Sequence, residues 1–345
     1  MKFFVSISSV IVVIIAWWAL ELKQSLPEIS TTKINGVSLV NPHFEADSSH
    51  FKSLQKVNAQ WVAIIPYAFS RQNDPQVYFN NDKQWWGERE EGCEKLIQLA
   101  HISGLKVMIK PHVWMHGSWI GDFDLKSEED WLTWEKAYQK YILTFARQAE
   151  ALNVEMFCIG TELKIATTKR PEFWVSLIQQ IREVYSGKVT YAANWDNYQN
   201  ISFWDQLDMI GIDAYFPILQ QKSATTNELI TAWTPVKGKL RAFSEKVSKP
   251  ILFTEYGYQS VNGATGNHWE VAMKPDQKNE TLQANAYEAL YKTFWQEPWM
   301  AGGFLWKWHL GDHKGRNAEL SFTPQDKAAE KVVFRWYSQK QSLLR

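Results

Sequence analysis

Cysteine is nearly missing: Cys93 and Cys158 are the only two in 345 residues. That excludes a disulfide framework and a cysteine-rich zinc module, and both are expected as free thiols. A surplus of one charge is missing as well. Lys plus Arg is 37 and Asp plus Glu is 37, so nothing is left over to neutralise phosphates, and nucleic acid is excluded as the main partner. There is no Gly-x-Ser-x-Gly elbow for a serine hydrolase and no Gly-x-x-x-x-Gly-Lys phosphate cradle. His112/His116 and His309/His313 are spaced i, i+4, but neither pair forms His-Glu-x-x-His, so no metal and no cofactor are expected. No repeat and no low-complexity linker divides the chain, which predicts one domain.

Aromatic side chains are abundant: 19 Trp, 13 Tyr and 18 Phe. Such flat amphipathic rings suit stacking on sugar faces, and equally any interface. A hydrophobic share of 45% with 21% charged residues describes a packed globular chain.

The N-terminus stands apart. Residues 3–20 carry no charge and follow Lys2. That length lies between a signal-peptide core and a spanning helix, and no small-x-small cleavage site follows. Residues 1–24 are therefore expected to be an uncleaved membrane anchor, with a cleaved signal peptide as the alternative, and residues 25–345 the folded domain. Lys2 on the short side predicts an extracytoplasmic body. The sequence sets no oligomeric state.

Beyond residue 24, apolar β-branched runs alternate with amphipathic stretches. Strands are predicted at 34–40, 60–66, 105–111, 154–160, 188–194, 207–214, 250–255 and 301–308. Helices are predicted at 48–57, 88–103, 128–152, 171–186, 227–247, 280–296 and 325–339. Between 195 and 207 only a short helical turn fits. Eight near-continuous apolar strands, each followed by helical sequence, predict an α/β fold, a (β/α)8 TIM barrel. An open doubly wound sheet is the alternative, but Gly36-Val37-Ser38 is not its Gly-rich turn.

In such a barrel the C-terminal strand ends form the active-site rim. Here they read Lys110-Pro111-His112-Val113-Trp114, Gly160-Thr161-Glu162, Asn194-Trp195-Asp196, Asp213-Ala214-Tyr215, Thr254-Glu255-Tyr256 and Trp306-Lys307-Trp308-His309. Glu162 and Glu255 each close an apolar run, on strands 4 and 7. Paired carboxylates are what glycosidic cleavage needs, one protonated as acid and one ionised. The competing reading puts each Glu in a buried ion pair with Lys110, Lys307 or Arg71. Substrate-binding candidates are Lys110, His112, Trp114, Asn194, Trp195, Asp213, Tyr215, Trp306 and Trp308, with Trp119 a further stacking platform. Lys110 and Asp213 could instead neutralise one another. Tyr215 is expected to hydrogen-bond Glu255, and alternation puts Trp306 and Trp308 on one strand face.

The segments Cys158-Ile159-Gly160-Thr161-Glu162-Leu163 and Phe253-Thr254-Glu255-Tyr256-Gly257 resemble the acid/base and nucleophile segments of the retaining glycosidases with catalytic Glu on strands 4 and 7. With Lys110-Pro111-His112, Gly211-Ile212-Asp213-Ala214-Tyr215-Phe216-Pro217 and Gly302-Gly303-Phe304-Leu305-Trp306-Lys307-Trp308, the chain resembles glycoside hydrolase family 113 over residues 33–340. The resemblance implies a metal-free retaining β-mannanase acting on mannan or manno-oligosaccharides, with Glu162 as acid/base and Glu255 as nucleophile. Alternatives are the same mechanism on another β-glycan, such as a glucan or galactan, and an idle glycan-binding barrel. One departure stands out. Much of the clan has Asn before the acid/base; this chain has Thr161, and Asn194 is the candidate for the missing amide.

Overall fold

The computed structural model describes residues 32–270, 273–311 and 317–339. The expected N-terminal anchor and His313 lie outside the described residues. Among those described, no helix is long and apolar enough to cross a membrane.

The eight predicted strands form one closed parallel barrel: β1 (Ile34–Val40), β2 (Trp61–Ile64), β3 (Lys106–Ile109), β4 (Met156–Thr161), β5 (Lys188–Asn194), β6 (Ile210–Asp213), β7 (Ile251–Tyr256) and β8 (Met300–His309), with β8 pairing back to β1. Strand side chains alternate between two cores. Ile34, Ala63, Met108, Cys158, Leu252 and Phe304 fill the barrel interior. The opposite faces pack under the helices, together with buried rings such as Trp134, Trp174 and Trp233.

The helices are α1 (Lys52–Gln55), α2 (Glu90–Ile102), α3 (Glu128–Ala151), α4 (Lys164–Lys169), α5 (Pro171–Val184), α6 (Thr226–Val247), α7 (Glu280–Phe294) and α8 (Ala328–Tyr337). Ser127 caps α3 by accepting from the Asp130 amide. Gly104, at φ +77°, ends α2, where a side chain would be strained. Between β5 and β6 there are only two short 3-10 turns, Tyr198–Asn200 and Trp204–Gln206. The Tyr337 hydroxyl of α8 donates to the Gly36 carbonyl at 2.7 Å and so ties the last helix to β1.

The sequence does not announce a side sheet. Tyr67–Ser70 pairs antiparallel with Tyr78–Phe79 and parallel with His112–Met115. Pro66 and Pro111 separate its two longer strands from β2 and β3, so each chain segment leaves the barrel and restarts as strand.

Gly36 makes room for Phe304. A Cβ at Gly36 would lie 2.4 Å from the Phe304 ring. Gly36→Ala is expected to destabilise the fold by about 1–3 kcal/mol through overpacking. In a Phe304→Leu background the same change should cost less, because the two sites share one space. Denaturant unfolding of both single variants and the double variant checks this.

Candidate active site

The barrel's C-terminal end opens into a cleft of about 740 Å³. Glu162, Glu255, His112, Asn194, Tyr215 and Trp306 line it, with Trp114, Trp119 and Trp195 on the walls. Regular pleating alone would not turn these groups inward. Strand registers shift at three tops: between Cys158 and Thr161 on β4, between Phe253 and Glu255 on β7, and opposite Trp306 and Trp308 on β8. Such bulges re-aim side chains.

The two carboxylates sit in unlike surroundings. Lys110 Nζ is 2.5 Å from Glu255 Oε1 and 3.0 Å from Asp213 Oδ1. The Tyr215 hydroxyl donates to Glu255 Oε2 at 2.7 Å, and Thr254 donates to Asp213 Oδ1 at 2.8 Å. Burial disfavours the Lys110 charge, but Asp213 and Glu255 outweigh it and hold the ammonium above the usual lysine range. Burial, then Glu255, pushes Asp213 up to about 7 against the pull of Lys110 and Thr254.

Among the described residues, no cation pairs with Glu162. The Trp119 indole N–H donates to its Oε2 at 2.7 Å. Burial, then Asp213 and Glu255, raises its pKa to about 8 from the usual 4.5. Three carboxylates thus share one lysine. Asp213 and Glu255 both touch Lys110, so the proton rests on Glu162. Glu162 also sits at φ +56°, a left-handed backbone few non-glycine residues adopt.

His112 lies against the same carboxylate, its Nε2 3.4 Å from Glu255 Oε1. Burial, then Lys110, holds its pKa well below the usual value, so the ring is neutral and the contact is not an ion pair. It lies parallel to Trp306 at 5.9 Å.

Several expected positions turn out differently. Lys110 and Asp213 are almost fully buried and do not line the cleft; they neutralise one another beneath it. Trp308 does not share a face with Trp306. The bulge on β8 sends it into the core under the helices, 1% exposed, with its indole N–H donating to Ser53. Trp119 spends its N–H on Glu162, and Thr161 turns its hydroxyl to the Pro111 carbonyl at 3.2 Å. The Asn194 amide faces the cleft but donates to Asp196 at 3.0 Å. Of the ion-pair partners weighed for the two Glu, only Lys110 makes contact, and only with Glu255. Arg71 lies instead over the Tyr78 ring, at 6.0 Å.

Sequence reasoning did not single out Phe322 or Ser118, which also line the cleft, and their loop positions carry no periodic signal. Trp269 stacks on Trp195 at 6.2 Å and 15° across the rim. His112 and His116 lie on or beside an extended strand rather than a helix, so the i, i+4 spacing brings no metal pair. Among the described residues, no group of three or more His, Cys, Asp or Glu is placed to hold a metal. Cys93 and Cys158 are both free and buried.

Comparisons with known proteins complete the description. The family model Glycoside Hydrolase Family 113 matches residues 41–327. The structure is similar to that of a GH113 β-mannanase from Alicyclobacillus acidocaldarius in complex with ManMIm, with 28% identity, a TM-score of 0.77 and coverage of 89% of this chain and 97% of that one. It is also similar to a GH113 β-1,4-mannanase complex, with 26% identity, a TM-score of 0.76 and coverage of 89% and 99%. A glycoside hydrolase family 5 mannosidase from Rhizomucor miehei shares the fold alone, at 9% identity, a TM-score of 0.65 and coverage of 88% and 92%. No curated protein matches the chain.

Two measurements probe the shared charge. Lys110→Met leaves two buried carboxylates without their cation and should cost about 3–5 kcal/mol at pH 7.5. The loss should shrink at pH 5, below the value of about 7 to which Asp213 is raised, as urea unfolding at both pH values will show. Glu162 binds its proton more tightly folded than unfolded. Its contribution is therefore full below about 4.5 and is lost as pH rises through about 8. Glu162→Gln should raise Tm at pH 9, by roughly 2–4 °C per kcal/mol recovered, and by less at pH 5.

Proposed function

The chain belongs to glycoside hydrolase family 113 and is a glycoside hydrolase, and on that premise we propose that it cleaves β-1,4-mannosidic bonds with retention, using Glu162 as acid/base and Glu255 as nucleophile. The observation that carries this reading is the unlike pair of carboxyls on one cleft, one held by Lys110 and Tyr215, the other paired with no cation among the described residues.

In the first step a Glu255 oxygen attacks the anomeric carbon. The glycosidic C–O bond breaks, and Glu162 gives its proton to the leaving oxygen. In the second step water attacks the same carbon, Glu162 takes the proton from that water, and the Glu255 ester bond breaks. The geometry supports the change of role. Part of what keeps Glu162 protonated is the negative charge of Glu255. Ester formation removes that charge, so the Glu162 pKa falls when a base is needed. Tyr215 remains a donor, because burial, then Glu255, keeps its hydroxyl pKa well above the usual value. Trp306, parallel to His112 at the cleft floor, suits stacking under the sugar at the cleaved bond. The uncharged run behind Lys2 supports an extracytoplasmic enzyme, anchored or secreted, with 25–345 as its catalytic domain.

The test is product analysis with β-1,4-manno-oligosaccharides and cello-oligosaccharides in parallel. The manno series should be cleaved, with the β-anomer as first product by NMR. An α-anomer as first product sinks the retaining mechanism, and cleavage of the cello series alone sinks the mannan assignment. Glu255→Ala should lower kcat at least 10⁴-fold on every substrate, by roughly the scale of a lost catalytic nucleophile. Glu162→Ala should spare glycosylation by activated aryl glycosides, whose leaving group needs no proton. For the native enzyme, kcat/KM should fall as pH rises through about 8, where Glu162 loses its proton.

A further inference from the structure

A second, larger cavity of about 1400 Å³ opens on the side sheet, and Trp114 borders both it and the active-site cleft. Strand alternation accounts for the continuity. Ala68, Ser70, Val113 and Met115 are buried, so Tyr67, Phe69, His112 and Trp114 stand on the other face. The register sets Tyr67 beside His112, and Phe69 between Trp114 and Tyr78. A single sheet face thus carries rings from His112, which is 3.4 Å from Glu255, out to Tyr78. Phe69 meets Trp114 edge-on at 5.8 Å. Trp114 and Tyr78 are 47% and 45% exposed, Tyr78 with Arg71 over its ring at 6.0 Å, so part of each ring is open for stacking.

The two cavities differ in charge. Glu162, Glu255 and Asp196 line the first, Asp196 held by Lys164 at 2.7 Å and Glu255 by Lys110, and no Lys or Arg stands among its described lining residues. Arg71, Lys83, Lys136 and Lys140 line the second. Among its described lining residues the one carboxylate, Asp82, lies 3.7 Å from Arg89, and among the described residues no carboxylate pairs with any of these four cations. An acidic group on a bound chain is therefore favoured at the second cavity over the first.

We propose that the second cavity binds the uncleaved continuation of the substrate chain, and that this part of the chain bears acidic groups of the sugar-carboxylate class. The ring ladder provides the path and the four cations provide the selectivity. The inference rests on the glycoside hydrolase reading of the first cleft.

The experiment uses a long β-1,4-mannan chain, neutral or selectively oxidised at C6 to carboxylate, and a short neutral manno-oligosaccharide. At low salt the full-length native enzyme should show a KM about tenfold lower for the carboxylated chain than for the neutral one, the scale of one or two exposed ion pairs. Lys136→Ala/Lys140→Ala should erase that preference, as should high salt. Tyr78→Ala should raise KM on both long chains and leave the short substrate unchanged. Equal KM for the two long chains in the native enzyme overturns the proposal, as does a preference that survives in the double variant. Calorimetry of the carboxylated chain on Glu255→Ala separates the two readings. Charge-dependent binding there, without turnover of any mannan by the native enzyme, keeps the second cavity and removes the mannanase assignment.

Discussion

The site depends on one buried ammonium. Lys110 lies beneath the cleft with Asp213 on one side and Glu255 on the other, and almost no solvent reaches the three groups. Charges in such a place are expensive unless paired. A single lysine can balance only one of the two carboxylates it touches, and Glu162 adds a third nearby. The excess negative charge is relieved by a proton, which settles on Glu162, the carboxyl that Lys110 does not touch. The protonation state of the cleft therefore follows from the count and placement of charges below it.

The barrel frame makes this arrangement possible by being irregular at its rim. A regular strand sends alternate residues inward, and the lower barrel follows that rule, with Met108, Cys158, Leu252 and Phe304 inside. Near the strand tops the registers slip on β4, β7 and β8. These slips turn Glu255 toward Lys110, separate Trp306 from Trp308, and accompany the left-handed backbone at Glu162. Local backbone irregularity is concentrated where the side chains face the cleft, as expected when their placement outweighs strand regularity.

The side sheet extends the same principle outward. Pro66 and Pro111 stand in two-residue gaps after barrel strands, and the chain then resumes as strand in a separate sheet. That break carries His112 into the cleft and Trp114 to its border, so one short strand serves the floor of one cavity and the edge of the next.

The sequence by itself determined the barrel and its rim. Strands at 34–40 and 188–194 are read with their observed limits, because a parallel strand buried on both faces is apolar along its whole length. Glu162 and Glu255 were visible as acids closing such runs. Charge pairing and aim were decided by the tertiary structure. Lys110 and Asp213 are 103 positions apart in sequence; their pairing and that of Lys110 with a Glu stood only as alternatives there, and nothing local says that one lysine holds both Asp213 and Glu255. Alternation placed Trp308 beside Trp306, but a bulge, which leaves no mark in residue type, moved it into the core. The side sheet leaves no mark in the sequence because its strands span only two to four residues, too short for a periodic signal. Hydrophobic pattern is a local property and survives in the sequence; the sharing of one cation among distant carboxylates exists only once the chain has closed.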